Sequence, residues 1–509
     1  MLRDRMRAVF SFPVAVGSIL AWLVHQKAEA GVGDPDIWWH LENARLLVTT
    51  HHLPRFDTFS YTTLGHPWMD HEWLSEVAYY LAWRALGLTG VYLLFIVLLE
   101  IILLGIFYRC YKSSANPRGV WGSFLESVFC VFLAAVSFGP RTLLFGWVWL
   151  IILLLVLDRF RARGEAPLWV IPLVFCLWVN SHGSWLIGMV VFGMIIASGL
   201  VEGNWGRVYA VRWSPRQLRQ LLATLGASVA ALFVNPFGYH LVFYPFDLAF
   251  RQKLTVNNIE EWASVDFHTA RGKVVMVMLV GILLGALLSR YRWELGQLGL
   301  ALLAVYAGAT YVRFLFLAAI LVAPLLASFL SFLPAYRPAL DKPWLNAVVM
   351  AGIAAIAVAF FPSRQELEKS VADRFPAVAL AYLKTHELPG NTFNHYMWGG
   401  YLVWKGAGMK TFVDSRSDIY EYSGVLQDYV DAITMKDSLK VLDKYRIHWV
   451  LFPPQEALSY LLEHNSNWKV VYNDHVAEIF ERVGPTPAET PVAPVTATGQ
   501  PASQPKAYQ

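Results

Sequence analysis

Apolar stretches of roughly 20 residues recur along this chain as far as residue 361, and each is long enough to cross a hydrocarbon core of about 30 Å as a helix. Only 15% of the 509 residues are charged and 56% are hydrophobic, too little charge to clothe a soluble protein of this length. The stretches are continuous and do not alternate, which excludes a β-barrel. The fold class expected is an α-helical polytopic membrane protein with about eleven transmembrane helices, followed by a small α/β domain. The spans fall near 8–27, 88–108, 119–138, 142–158, 167–180, 184–201, 217–235, 273–289, 293–310, 314–333 and 344–361. Cys110, Cys130 and Cys176 lie in or beside these runs, with no metal-ligand spacing and no disulfide framework.

Short cytoplasmic loops carry the Lys and Arg of a membrane protein. With Arg3, Arg5 and Arg7 in the cytoplasm, the same side receives Arg109, Lys112 and Arg118, then Arg159, Arg161 and Arg163, and then Arg207, Arg212, Arg216 and Arg219. Arg290, Arg292, Arg337 and Lys342 complete that side. The opposite face holds fewer basic residues. This alternation places a first loop at 28–87, and everything after 362, outside the cytoplasm. The setting expected is a bacterial inner membrane.

The first outer loop opens with "DPDIWWHLENARLLV", whose apolar spacing suits an interfacial amphipathic helix. "HLPRFDTFSYTTLGHPW" reads as loop, and "DHEWLSEVAYYLAWRALG" returns to helical spacing. Beyond 365 the chain turns charged, with Gly and Pro punctuation. A helix near 374–386, β-like runs in "NTFNHY", "YLVWK", "KTFVD" and "HWVLFPP", and helices near 425–445 and 455–464 predict an extracytoplasmic α/β domain over 363–484. Residues 1–362 form the transmembrane domain in this division. The Pro-rich tail, 485–509, lacks the apolar content for a core and reads as disordered.

The polar equipment gathers at the outer ends of the spans. Asp34, Asp36, His40, His71, Glu72, Arg141, His182, Glu260, Glu261 and Arg313 all fall there, while Glu100 and Glu126 are the main acids inside spans. Asp34 suits a helix cap. Asp36 can cap too, or serve as a general base or metal ligand. "HEWLSE" lacks the second histidine of a zinc helix, since Ser75 stands in its place. Glu72 then faces either water or a cavity. Arg141 and Arg313 either snorkel to headgroups or clamp a phosphate with their planar forks. His182, in "WVNSHGSW", is a turn residue or a ligand contact. Asp414 and Arg416 read as a local ion pair.

Together "DPDIWWHL", "LPRFDTFSYTTLGHPWMDHEWLSE", "WVNSHGSWLIG", "NPFGYH" and "IEEWASVDF" resemble a group of bacterial integral membrane proteins. That group is similar to the GT-C glycosyltransferase superfamily of oligosaccharyltransferases, protein mannosyltransferases and aminoarabinose transferases. The resemblance implies transfer of a sugar from a polyprenyl-phosphate donor on the outer face of the membrane. It implies that Asp36, or Asp34 with a shifted register, acts as base or orients the acceptor, with Glu72 beside them. It assigns the donor phosphate first to Arg313 and second to Arg141; His40, His71, His182 and Glu260 are candidate substrate contacts from their place at the outer ends of the spans. The second outer loop, "SFGPRT", lacks the acidic pair of metal-dependent members. No metal ligand is assigned and no cofactor is expected, although a divalent metal stays open. The partners implied are the bilayer, the polyprenyl-phosphate sugar donor and an acceptor of undefined identity, with no nucleic acid.

Two other classes compete. A transporter or flippase would show two similar halves with broken helices, and the sequence has no internal repeat. A non-catalytic scaffold would use the outer domain to bind a glycan or a partner.

Overall fold

The computed structural model describes residues 2–28, 32–112, 119–258, 260–386 and 389–485. The chain forms two compact units. One comprises Met1–Ala30, Tyr92–Gly238 and Val256–Ser363, and the other Gly31–Val91, Tyr239–Thr255 and Arg364–Gln509.

In the first, helical unit every expected apolar run is a helix. From the N-terminus these are Phe12–Lys27, Leu88–Lys112, Val120–Ala134, Leu143–Arg163, Val170–Val179, Trp185–Ser198, Pro215–Ala231, Ala270–Leu288, Leu295–Thr310, Leu315–Phe329 and Pro343–Ala359. Among the described residues, Leu88–Lys112, Leu143–Arg163, Ala270–Leu288 and Val312–Phe329 are long and apolar enough to cross a membrane. A fifth counts if Pro343–Ala359 is taken with the helix after it. Four apolar helices, Val120–Ala134, Val170–Val179, Trp185–Ser198 and Leu295–Thr310, are shorter. Helix length alone therefore does not establish eleven crossings.

The unit presents apolar side chains outward. On Ala270–Leu288, Val277 is 59%, Leu287 62% and Leu288 79% exposed, a surface stable against lipid and costly against water. A small sheet completes the unit. Strands β1 (Gly203–Trp205) and β2 (Val208–Ala210) form a hairpin around Gly206, and β2 pairs parallel with β3 (Trp293–Glu294).

The second unit is α/β. Its four strands are β4 (Asn391–Asn394), β5 (Ile447–Phe452), β6 (Trp468–Asn473) and β7 (Glu478–Arg482), in the order β4-β5-β7-β6. The β4–β5 pair is parallel, while β7 runs antiparallel to both β5 and β6. The first-loop helices Asp36–Thr50 and Trp73–Leu86 belong to this unit. Its core joins Trp39 and Trp68 from the first loop to Phe393, Phe412, Phe452 and Phe480. Trp38 is fully buried against Phe375 and Tyr401. The tryptophan pair, expected at a membrane interface, is thus packed inside the unit.

Two strand expectations are corrected. "YLVWK" lies in the helix Gly399–Lys405, and "KTFVD" contributes only an isolated bridge, Ser60 with Thr411. The glycine pair explains the helix. A Cβ on Gly399 would meet Val413 O at 2.2 Å, and one on Gly400 would meet Pro35 O at 2.9 Å. Only a helix without side chains there can lie so close to the start of Asp36–Thr50. From residue 486 onward the expected tail lies outside the described residues.

Candidate functional site

The acid segment comes first in the second unit. Asp34 is buried, and its Oδ1 accepts the backbone N–H of Asp36 at 3.0 Å. This is a local carboxylate-to-backbone bond just ahead of the helix, whose N-cap position is held by Pro35. Asp36 opens the helix, where the dipole favours a carboxylate.

One turn further on, His40 is buried among acids. Its Nδ1 lies 2.7 Å from Glu76 Oε1, and its Nε2 lies 3.5 Å from Glu72 Oε2. The amide of Asn43 donates to Glu76 Oε2 and to Asp70 Oδ2, both at 2.7 Å. Burial dominates the titration of this group. It lowers His40 to about 4 against the pull of Asp36 and Asp34, and raises Glu76 to about 8. Asp70 is raised well above the usual carboxylate range by burial and then by Glu76. At neutral pH the consistent assignment is a neutral imidazole, with Glu76 donating its proton to Nδ1 and the Nε2–H turned toward Glu72.

His71 Nε2 lies 3.5 Å from Glu72 Oε1, and its ring lies tilted against that of Tyr244 with centroids 4.3 Å apart. The Tyr244 hydroxyl donates to Asp418 Oδ2 at 3.1 Å. Sequence reasoning picked out Asp34, Asp36, His40, His71 and Glu72, and the fold gathers them in one unit. It missed Asn43, Asp70, Glu76, Tyr244 and Asp418. Glu76 had a signal, since it follows Glu72 by one helical turn.

A second buried group lies in the same unit. Arg416 forks onto Asp414 through Nε and Nη2, at 2.9 and 2.7 Å, and its Nη2 reaches Asp57 Oδ1 at 2.8 Å. The guanidinium lies over the rings of Phe59 and Trp68. Burial pushes the Asp57 carboxyl up, but the Arg416 charge together with hydrogen bonds from Ser60, the Phe59 N–H and Arg416 holds the group below its ordinary value. The local ion pair read from the sequence is present, and it extends to a third, distant partner.

In the helical unit, Arg141 pairs with Glu261 through Nη1 and Oε1. Arg313 lies 4.2 Å over the ring of Trp262, the next residue. Burial raises the Glu261 carboxyl, but Arg141, Arg313 and Arg271 overcome it and hold the group low. The 3₁₀ turns Glu260–Trp262 and Val312–Phe314 create this meeting, tied by Val312 N–H to Ala263 O at 3.0 Å. The two arginines expected at one depth thus share a carboxylate. The carboxylate is Glu261; the side chain of Glu260 lies outside the described residues. His182 Nδ1 accepts the Ser184 N–H at 2.9 Å, a bond that shapes its turn. Among the described residues no group of three or more His, Cys, Asp or Glu side chains is placed to hold a metal ion.

No family model matches the sequence, and no curated protein matches it either. Solved structures do. The Archaeoglobus fulgidus oligosaccharyltransferase tethered to an acceptor peptide containing the NVT sequon superposes with a TM-score of 0.52 and 14% identity, covering 86% of this chain and 69% of the other. The apo form of that enzyme gives a TM-score of 0.50 and 13% identity over the same shares. At this identity the likeness is one of architecture: this chain shares the fold of that oligosaccharyltransferase.

Proposed function

We propose that this protein is a membrane glycosyltransferase that moves a sugar from a polyprenyl-phosphate-linked donor to a lipid, glycan or protein acceptor. The observation that carries the reading is the arginine cluster around Glu261. A lipid-linked sugar phosphate joins an anionic head to an apolar tail, and arginines set among apolar helices suit that combination. Phosphate would replace Glu261 as the partner of Arg141 and Arg313, and they would stabilise the charge growing on the leaving phosphate. The acceptor's station is assigned to the other unit. There Asp36 serves as the base or orienting group for the accepting atom, with His40 and Glu72 behind it. In this reading residues 1–362 span the membrane about eleven times from a cytoplasmic N-terminus, and 363–484 lie outside the cytoplasm of a bacterial inner membrane. The test is transfer of labelled sugar from polyprenyl-phosphate donors into membrane extracts. Wild-type protein should transfer label, and Arg313→Ala should bind donor more weakly. Equal donor binding by the two proteins would remove the phosphate assignment.

A further inference from the structure

The α/β unit holds a cavity of about 370 Å³. His395 directly follows β4, Pro453 directly follows β5, and the β6–β7 turn supplies His475, so the cavity opens at the carboxyl ends of the parallel pair. Ligands in sheets with parallel strands lodge at that edge. Gly33 and Pro35 form another wall, on either side of Asp34 and just ahead of Asp36. The acid segment's own backbone therefore bounds the cavity. Arg374 is laid against this backbone: a Cβ on Gly33 would lie 2.0 Å from Arg374 Nη1, so a side chain there would push the guanidinium aside. The Arg374 carbonyl accepts the Trp398 indole N–H at 3.1 Å, tying it to the opposite wall.

The lining selects a ligand class. Arg374 only donates, the Asp373 carboxyl offers acceptor oxygens, and His395 and His475 can each do either. Burial lowers His395 to about 4, so its imidazole is neutral. Adjacent Asp373 and Arg374 offset each other's charge. Closely spaced donors and acceptors without a net field match hydroxyl groups better than an ion. The volume sits at the small end of the roughly 300–1,000 Å³ range of small-molecule pockets. We propose that this cavity holds one neutral sugar ring, with Arg374 and His395 bonding its hydroxyls beside Asp36. Naming that ring as part of the acceptor rests on the glycosyl-transfer reading; the sugar site itself does not.

The test is saturation-transfer NMR on the full chain in a sugar-free detergent. Glucose, galactose and N-acetylglucosamine are the neutral probes, and glucuronate and inorganic phosphate the anionic ones. At least one neutral sugar should bind in the millimolar range. Arg374→Ala and Gly33→Ala should weaken it about tenfold or more, the scale of one lost hydrogen bond to a charged group, and Arg374→Lys should recover part. The surface variant Lys440→Ala should bind as wild type. Melting curves confirm that each variant is folded. No neutral sugar bound by wild type, equal binding by folded Arg374→Ala, or tighter binding of glucuronate or phosphate would each overturn the proposal. If sugar binds but no donor supports transfer, the enzyme reading falls and the cavity stands. Asp36-dependent transfer without sugar binding would mean the reverse.

Discussion

Two ionic clusters, one in each unit, are built in opposite ways. In the α/β unit Arg416, Asp57 and Asp414 are all removed from solvent, with aromatic rings over the cation. In the helical unit Arg141 and Glu261 keep 24% and 29% of their side-chain surface. A buried pair has given up its hydration and has no substitute for its partner, whereas a half-exposed pair can exchange its partner for water or for another anion. The first arrangement suits a fixed scaffold. The second suits a site whose carboxylate gives way to a phosphate. The same contrast appears in the acids: burial raises Glu76 and Asp70 beside His40, while arginines hold Glu261 low.

Substitutions can break this comparison, and the largest effect is expected at the buried triad. Asp57→Ala leaves Arg416 short of one carboxylate inside the core and should destabilise the α/β unit by about 3–5 kcal/mol. Denaturant melts followed by tryptophan fluorescence would read it, and a loss below about 1 kcal/mol would place the triad with ordinary surface pairs. Next comes donor recognition. Arg313→Ala should weaken binding of a polyprenyl-phosphate sugar by about 1.5–3 kcal/mol. Arg313→Lys should restore only part, because the charge returns without the fork.

A smaller effect concerns pH. The Glu76 carboxyl is raised from 4.5 to about 8 in the folded protein. Between those values the folded state keeps a proton that the unfolded chain has released. Stability from this group is therefore complete below about pH 4.5 and is lost as pH rises toward 8. Glu76→Gln should flatten that slope, so that its melting temperature falls less between pH 5 and 8 than that of wild type. Wild type and variant with parallel pH profiles would show that Glu76 is ionised throughout. The smallest effect is expected at Glu261→Gln, which should cost under about 1 kcal/mol of stability, since its pair is partly solvated. A loss as large as that of Asp57→Ala would erase the distinction between the units.

Much of the helical unit was legible because its signal is local. Every apolar run that reads as a helix is one, since continuous hydrophobicity needs no knowledge of neighbours. Span counting was harder, because Val170–Val179 and its short companions fall under the length a bilayer asks for. In the α/β unit "YLVWK" has strand composition but becomes a helix where two glycines approach Val413 and Pro35. Asp34, Asp36, His40 and Glu72 stood out as candidates because polar residues beside tryptophans in an apolar chain are conspicuous. Asp57 and Arg416 stand 359 positions apart, and no spacing rule pairs such residues. Glu261 escaped notice as the partner of Arg141 for the same reason, being 120 positions away.

In the proposed reaction the acid at the head of the Asp36–Thr50 helix acts on the acceptor. The direct measurement is turnover of a labelled polyprenyl-phosphate sugar by wild type and Asp36→Asn, with donor binding measured on the same preparations. Turnover should fall about 10²-fold or more while donor affinity stays near wild type, as removal of a general base from an intact donor site requires. Equal turnover by both proteins would contradict the claim and leave Asp36 as a helix-capping residue.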